Sequence, residues 1–158
     1  MGERPDAVKR VEADAQEKGL KIAVIQTASS ARSAAEAAEA VGASVGQIVK
    51  SLVFRGRESG KPYLLLVSGA NRVDESAIAA LLGEGLERPD AEFVRAATGF
   101  AIGGVSPLGG TGQLRTLMDE DLFQHATVWA AAGTPRHVFE VVPLQLRSAT
   151  GAIVGRVT

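Results

Sequence analysis

The sequence predicts an α+β fold with a mixed sheet that curls toward a barrel. Three observations lead there. Runs with strand-like alternation and runs with helical spacing are interleaved, but not in strict strand–helix–strand order. Two pairs of strand-like runs are joined by the short turn sequences RESGK and GTPR, so hairpins are prominent. Aromatic residues make up only 4% of the 158 residues, so the core must rest on Ala, Val, Leu and Ile. A chain of this length suits one domain with a real core. No repeat, low-complexity segment or linker divides it. The expectation is one domain over 1–158, with residues 1–19 forming a peripheral helix.

The elements follow in order. Pro5 suits a first helical turn, Val8, Val11 and Ala15 form a narrow apolar stripe, and Gly19 ends the helix. Lys21 to Thr27 (KIAVIQT) reads as a strand. Ser33 and Glu36 have capping-box spacing and open an Ala-rich helix that stops at Gly42. Gln47 to Arg55 reads as a strand, Gly60 supplies the positive φ of a turn, and Tyr63 to Ser68 (YLLLVS) returns as a strand buried on both faces. Asp74 caps a helix whose Ala77, Ile78, Leu81 and Leu82 share a face, and Gly83 ends it. Asp90 to Ala97 forms another short helix. Gly99 to Gly112 reads as strand then loop, and Asp119 to Gln124 as a helical turn. Val128 to Ala132 and His137 to Val142 make the second hairpin. Pro143 to Ala149 is helical and Ala152 to Val157 is a last strand.

Composition removes several function classes. There is no cysteine, hence no disulfide, thiolate metal site or cysteine nucleophile. The only histidines, His125 and His137, lie too far apart for a local metal cluster, and neither an EF-hand nor a phosphate-binding loop motif is present. Nothing calls for a cofactor or a metal. The net charge of −1 shows no broad nucleic-acid footprint. The N-terminal stretch is charged, and no apolar run approaches membrane-spanning length. The expectation is a cytoplasmic protein that does not engage a membrane.

Two stretches can carry chemistry. In GQIVKSLVFR, alternation puts Ile48, Lys50, Leu52 and Phe54 on one face. An ammonium in that apolar row either snorkels to water at a sheet edge or has a partner that justifies its desolvation. In GFAIGGVSPLGGTG, six of fourteen residues are glycine. Gly103 and Gly104 allow a close approach of backbone to a ligand, or simply a tight turn. Exposed N–H groups there can hold a carbonyl or a developing oxyanion. Ser106 is not a nucleophile elbow, because the residue two after it is Leu108, and Pro107 offers no N–H to an oxyanion hole. His137 opens a strand after GTPR and either lines a pocket or fills a strand end. Trp129 is explained by core packing. Arg55, Arg57, Lys61, Arg72, Arg115 and Arg136 sit near turns, where each is most simply a solvated charge.

Taken together, SARSAAEAAEAVGASVGQIVKSLVF, RVDESAIAALLG, ATGFAIGGVSPLG and WAAAGTPRHVFEV, in that order, resemble the YbaK/ProX family of aminoacyl-tRNA deacylases, which includes the editing domain of prolyl-tRNA synthetases. The resemblance covers roughly Ala31 to Val142. It implies a mixed, partly closed barrel-like sheet surrounded by helices. It also implies hydrolysis of the ester on a mischarged tRNA, here mischarged prolyl-tRNA carrying Ala, Cys or a similar small residue. Lys50 falls on the family's lysine. Gly103, Gly104, Val105, Ser106 and Pro107 fall on its G-x-x-x-P loop. His137 falls where some of the family's editing domains have a histidine beside the aminoacyl group. The implied partners are the 3′ acceptor end of an aminoacyl-tRNA and, as a further candidate, prolyl-tRNA synthetase. The alternative is a non-catalytic module of the same fold that binds tRNA or a synthetase. Lys50 would position substrate and supply charge, with a general-base role as the lesser option.

Overall fold

The computed structural model describes residues 4–112 and 114–158. The helices are α1 (Asp6–Glu17), α2 (Ala34–Val41), α3 (Glu75–Leu82), α4 (Ala91–Thr98) and α5 (Pro143–Thr150). The strands are β1 (Val24–Gln26), β2 (Val49–Gly56), β3 (Pro62–Ser68), β4 (Leu86–Glu87), β5 (Arg115–Asp119), β6 (Val128–Ala131), β7 (His137–Val141) and β8 (Ile153–Gly155). One sheet has the order β4-β2-β3-β5-β8 and the other β1-β7-β6. Parallel and antiparallel pairings mix, since β5 runs parallel to both β3 and β8. A parallel bridge between Ile48 and Trp129 joins the two sheets, so the whole curls into a half-barrel.

Local chemistry explains most element ends. The Ser33 hydroxyl accepts from the Glu36 N–H, Asp74 accepts from the N–H groups of Ser76 and Ala77, and Asp90 accepts from that of Phe93. Each cap satisfies donors that the first helical turn leaves free. Glu36 does not close its capping box on Ser33; its carboxylate accepts from Arg32 N–H instead. Gly42 and Gly83 end their helices at φ of 70° and 85°, where a side chain would be strained.

The inner face of the half-barrel buries Val49, Leu64, Leu66, Val105, Met118, Ala130 and Phe139. The outer face of the larger sheet is covered by Ile78 of α3 and buries Phe54, Tyr63, Leu65, Val67 and Leu117. Both faces of β3 are therefore covered, as its unbroken apolar run requires.

Three expectations change. KIAVIQT forms only a three-residue strand, paired on one side with β7. Residues 99–112 contain no strand; positive φ at Gly99, Gly103 and Gly109 keeps turning the chain away from an extended path. The N-terminal helix is not peripheral in its packing. Val8, Val11 and Ala15 are buried, and Arg10 donates to the carbonyls of Gly99 and Gly109. The Asp14 carboxylate in turn accepts from Gly109 N–H at 2.8 Å. Helix α1 is thus the clamp that holds the glycine loop.

That clamp yields a test on two glycines. An alanine Cβ at Gly42 would meet nothing within 4 Å, so Gly42→Ala carries only left-handed strain, about 1–2 kcal/mol. At Gly109 (φ 80°) the Cβ would lie 2.7 Å from Val11 N, in backbone that cannot swing aside. Gly109→Ala is expected to cost about 1–3 kcal/mol more than Gly42→Ala, from overpacking. Urea denaturation of the two variants measures the difference, and equal midpoints would contradict the clamp.

Candidate functional site

Strand β2 positions the site. Its inner neighbour β3 pairs with it from Val49 to Arg55. Its outer edge is shared: β6 meets it only at Ile48, and β4 only at Arg55 and Gly56. Between those ends the sheet forks, and a cleft of about 500 Å³ opens along β2. The size is that of a small-molecule site. Its walls include Val49, Val53, Val94, Val105, Trp129 and Ala130, so it is mainly apolar. Arg32, Lys50 and Arg88 also line it, and no carboxylate does among the described residues.

Lys50 is half-buried. It shares its face with Leu52 and Phe54, opposite Val67, Leu65 and Tyr63. Its ammonium donates to the Asn71 carbonyl at 2.5 Å. The Asn71 amide bonds the carboxylates of Asp119 and Asp121, each at 2.8 Å, so the acceptor is itself held in place. Burial pushes the Lys50 pKa down, the Arg72 guanidinium adds to that shift, and Asp119 opposes it. The row that looked wrong in the sequence therefore contains a lysine with a partner.

The other residues expected at the site divide. Gly103 (φ 93°) and Val105 line the cleft with Lys50. Gly104 is buried behind them; a Cβ there would sit 2.6 Å from the Gly133 carbonyl, so the loop lies directly on the β6–β7 turn. Ser106 is 4% exposed and its hydroxyl accepts from Leu108 N–H at 3.2 Å. With Pro107 it borders a second cavity, on the α1 side of the loop. His137 is half-buried at the start of β7. Its Nδ1 shares a 2.6 Å hydrogen bond with the Thr134 hydroxyl. Thr134, Pro135 and Val138 line the cleft around it, whereas His137 itself does not.

Sequence reading passed over two residues that the fork brings forward. Trp129, assigned there to core packing, is half-buried and forms part of the cleft wall. Ser51 lies between Val49 and Val53 in the inner row, and its Oγ is buried without a hydrogen-bond partner among the described residues. The signal was available, since a hydroxyl among valines is the same kind of misfit as Lys50 in the adjacent row.

The aminoacyl-tRNA editing domain family matches residues 28–149, a span that contains β2, the glycine loop and the β6–β7 hairpin. The chain belongs to that family. It is therefore a hydrolase of the aminoacyl-tRNA ester bond. It is 32% identical over 111 residues to the uncharacterized protein YwhH of Bacillus subtilis, covering 70% of each. It is 29% identical over 127 residues to EbsC of Enterococcus faecalis, covering 80% of this chain and 77% of that one. EbsC is provisionally named a Cys-tRNA(Pro)/Cys-tRNA(Cys) deacylase. A solved structure provisionally described as a trans-editing enzyme for prolyl tRNA synthetase superimposes with a TM-score of 0.92 at 45% identity, covering 99% of each chain. The hypothetical protein APE2540 superimposes at 0.86 with 28% identity, covering 94% and 98%.

In this editing domain the His137 pKa lies below the ordinary histidine value. Burial is the first cause of the lowered His137 pKa, and the charges of Arg136 and Arg4 add to it. Arg136 N–H already donates to the Thr134 oxygen, so the hydroxyl proton is available to Nδ1. A lowered folded pKa means that the unfolded chain binds the proton more readily. Stability from this residue is complete above the ordinary histidine pKa of about 6.5, and is lost as pH falls from there through the folded value. Thermal melting from pH 7.5 down to 5 is expected to show a fall that His137→Gln reduces. An unchanged profile in that variant would place the acid sensitivity elsewhere.

Proposed function

We propose that this editing domain removes a small amino acid, Ala, Cys or a near neighbour, from mischarged prolyl-tRNA, acting in trans in the cytoplasm. The observation that carries this reading is the forked cleft: apolar, of small-molecule size, and provided with cations but, among the described residues, no acids. An apolar wall suits a small side chain, and the cations at Arg32 and Arg88 suit the phosphates of an acceptor end. The similarity to EbsC and to the trans-editing structure supports the choice of tRNA. Recruitment by prolyl-tRNA synthetase would supply affinity that a net charge of −1 does not. Among the described residues, no helix is long and apolar enough to cross a membrane.

The chemistry is modest. A water oxygen attacks the acyl carbon, the bond from that carbon to the ribose 3′ oxygen breaks, and one water proton ends on the departing alkoxide. The products are a free amino acid and an uncharged tRNA. An ester is reactive enough that stabilising the tetrahedral oxyanion is the main task. Of the Gly103–Pro107 loop, Gly103 and Val105 line the cleft and their backbone N–H groups serve that purpose, since the Gly104 N–H bonds the Ala101 carbonyl and Pro107 has none. Lys50 places the terminal ribose or its phosphate and adds positive charge. His137 acts through the shape of the hairpin wall, by holding Thr134 against the cleft.

A panel of mischarged tRNAs tests the reading. Wild type is expected to release alanine or cysteine from tRNA(Pro) well above the spontaneous rate. Lys50→Ala is expected to lower kcat/KM roughly 10–100-fold, the loss of a charged hydrogen bond, with little change in melting temperature. If wild type fails to exceed the spontaneous rate on every tRNA, the substrate assignment falls. If Lys50→Ala is as fast as wild type, the lysine has no part in it.

A further inference from the structure

Strand β2 leaves a short stretch of backbone unpaired inside the cleft. Gly56 N–H bonds the Lys61 carbonyl, and Gly69 N–H bonds the Ile48 carbonyl. Both are hydrogen-bonded positions of the β2–β3 ladder. Antiparallel ladders alternate, so Lys50, Leu52 and Phe54 also bond β3, while Val49, Ser51, Val53 and Arg55 turn their N–H and C=O groups outward. Arg55 meets Glu87 of β4, and Arg57 N–H bonds Gly85 beyond it. The Ile48–Trp129 bridge occupies the opposite end, next to Val49. Ser51 and Val53 remain, with no strand beside them among the described residues. Both line the cleft.

We infer that this open edge is the subsite for the aminoacyl group itself, which pairs with Ser51 as a one-residue strand. An aminoacyl ester carries an amine and a carbonyl on either side of one Cα, the same spacing as a residue in a sheet. An outward-facing strand residue offers the complementary pair. Ser51 C=O accepts from the α-amino group, and Ser51 N–H donates to the acyl carbonyl oxygen. This is strand addition reduced to a single residue. The side-chain hydroxyl supports the assignment. Ser51 is only half-buried, yet its Oγ is hidden and unpartnered. Ser51 lines the cleft, so that hydroxyl is a further acceptor for the amine. Among the described residues, the charged side chains lining the cleft are Arg32, Lys50 and Arg88, and none of them competes for that amine. Oxygen atoms of β2 are the acceptors at hand. The inference rests on the ester-hydrolase reading and adds the part of the substrate that β2 recognises.

Binding of non-hydrolysable analogues tests it apart from catalysis. One probe is 3′-amino-3′-deoxyadenosine carrying alanine in amide linkage; the other carries a propionyl group, identical but without the amine. Titrated into ¹⁵N-labelled full-length protein, the alanyl probe is expected to bind about tenfold tighter than the propionyl probe. The Ser51 and Val53 amide resonances should move most. Equal affinities, no binding of the alanyl probe, or shifts that leave both amides unmoved would overturn the inference. A second arm uses Ser51→Pro against Ser51→Ala. Proline at an outward-facing edge position removes one N–H and leaves the β3 ladder intact. Turnover of alanyl-tRNA(Pro) is expected to fall about tenfold further in Ser51→Pro than in Ser51→Ala, with matched melting temperatures. If wild type turns over no mischarged tRNA, the substrate assignment fails, and the titration still decides what Ser51 meets.

Discussion

Strand β2 has one complete partner and two partial ones, and the cleft exists because of that arithmetic. On the inner side β3 pairs with seven consecutive residues, from Val49 to Arg55. On the outer side, β6 bridges at Ile48 and β4 pairs at Arg55 and Gly56. A complete outer partner would close the barrel and satisfy every backbone group, with no space left inside. Two partners approaching from opposite ends spread apart instead, and the opening between them is walled by whatever each brings. From β6 come Trp129 and Ala130. From the chain after β4 come Arg88, Pro89 and Val94. Unpaired sheet edges in an apolar setting are costly unless something pairs with them. A fork that keeps such an edge between two covered ends is better understood as a binding feature than as a packing defect.

The remaining wall depends on the glycine loop, and the loop depends on α1. Residues 99–112 have no sheet to hold them. They are fixed by three contacts of another kind: Arg10 on the carbonyls of Gly99 and Gly109, Asp14 on the N–H of Gly109, and Gly104 against Gly133. Backbone-to-backbone approach at Gly104 is what brings Gly103 and Val105 into the cleft on one side while Ser106 and Pro107 turn toward the other cavity. One five-residue motif thus serves two purposes. Its first half shapes the site, and its second half anchors the loop to the core, with Leu108 fully buried beneath it.

Much of this was legible in the sequence because the relevant signals are local. The caps at Ser33 and Asp74, the glycine stops at Gly42 and Gly83, and both hairpins follow from short-range chemistry. Strand β5 was not legible. Arg115–Asp119 offers only Leu117 and Met118 as apolar residues, yet Thr116 and Asp119 are buried with them. Asp119 can lie there because it accepts from Ser68 N–H, the Asn71 amide and Asp121 N–H. A polar residue satisfied by distant partners carries no apolar signal, so pattern reading passes over it. Similar reasoning covers Ser51. Its neighbours in sequence show a row of valines, but the fork that leaves its backbone unpaired arises from where β4 and β6 end. No local pattern encodes that. The close grouping of Lys50 with Gly103 and Val105 also depends on tertiary structure, as does the setting-back of His137 behind Thr134.

The distribution of charge in the cleft constrains how an ester could be cleaved there. Among the described residues no carboxylate general base lines it, and Ser106 is buried with its hydroxyl engaged. What the cleft offers is positive charge and backbone dipoles. Both would favour an oxyanion over the neutral ester that precedes it, which is the condition for accelerating a reaction by electrostatics. A cleft with acids would bind the substrate's amine more tightly, but it would also oppose the developing negative charge a few ångströms away. Neutral oxygen acceptors avoid that conflict, because a carbonyl can hold an amine without placing a full negative charge beside the acyl carbon. The same reasoning explains why the acidic pair Asp119 and Asp121 is held one step back, bonded to the Asn71 side chain while Lys50 bonds the Asn71 carbonyl. The acids orient the group that positions the lysine, and the cleft keeps its positive potential.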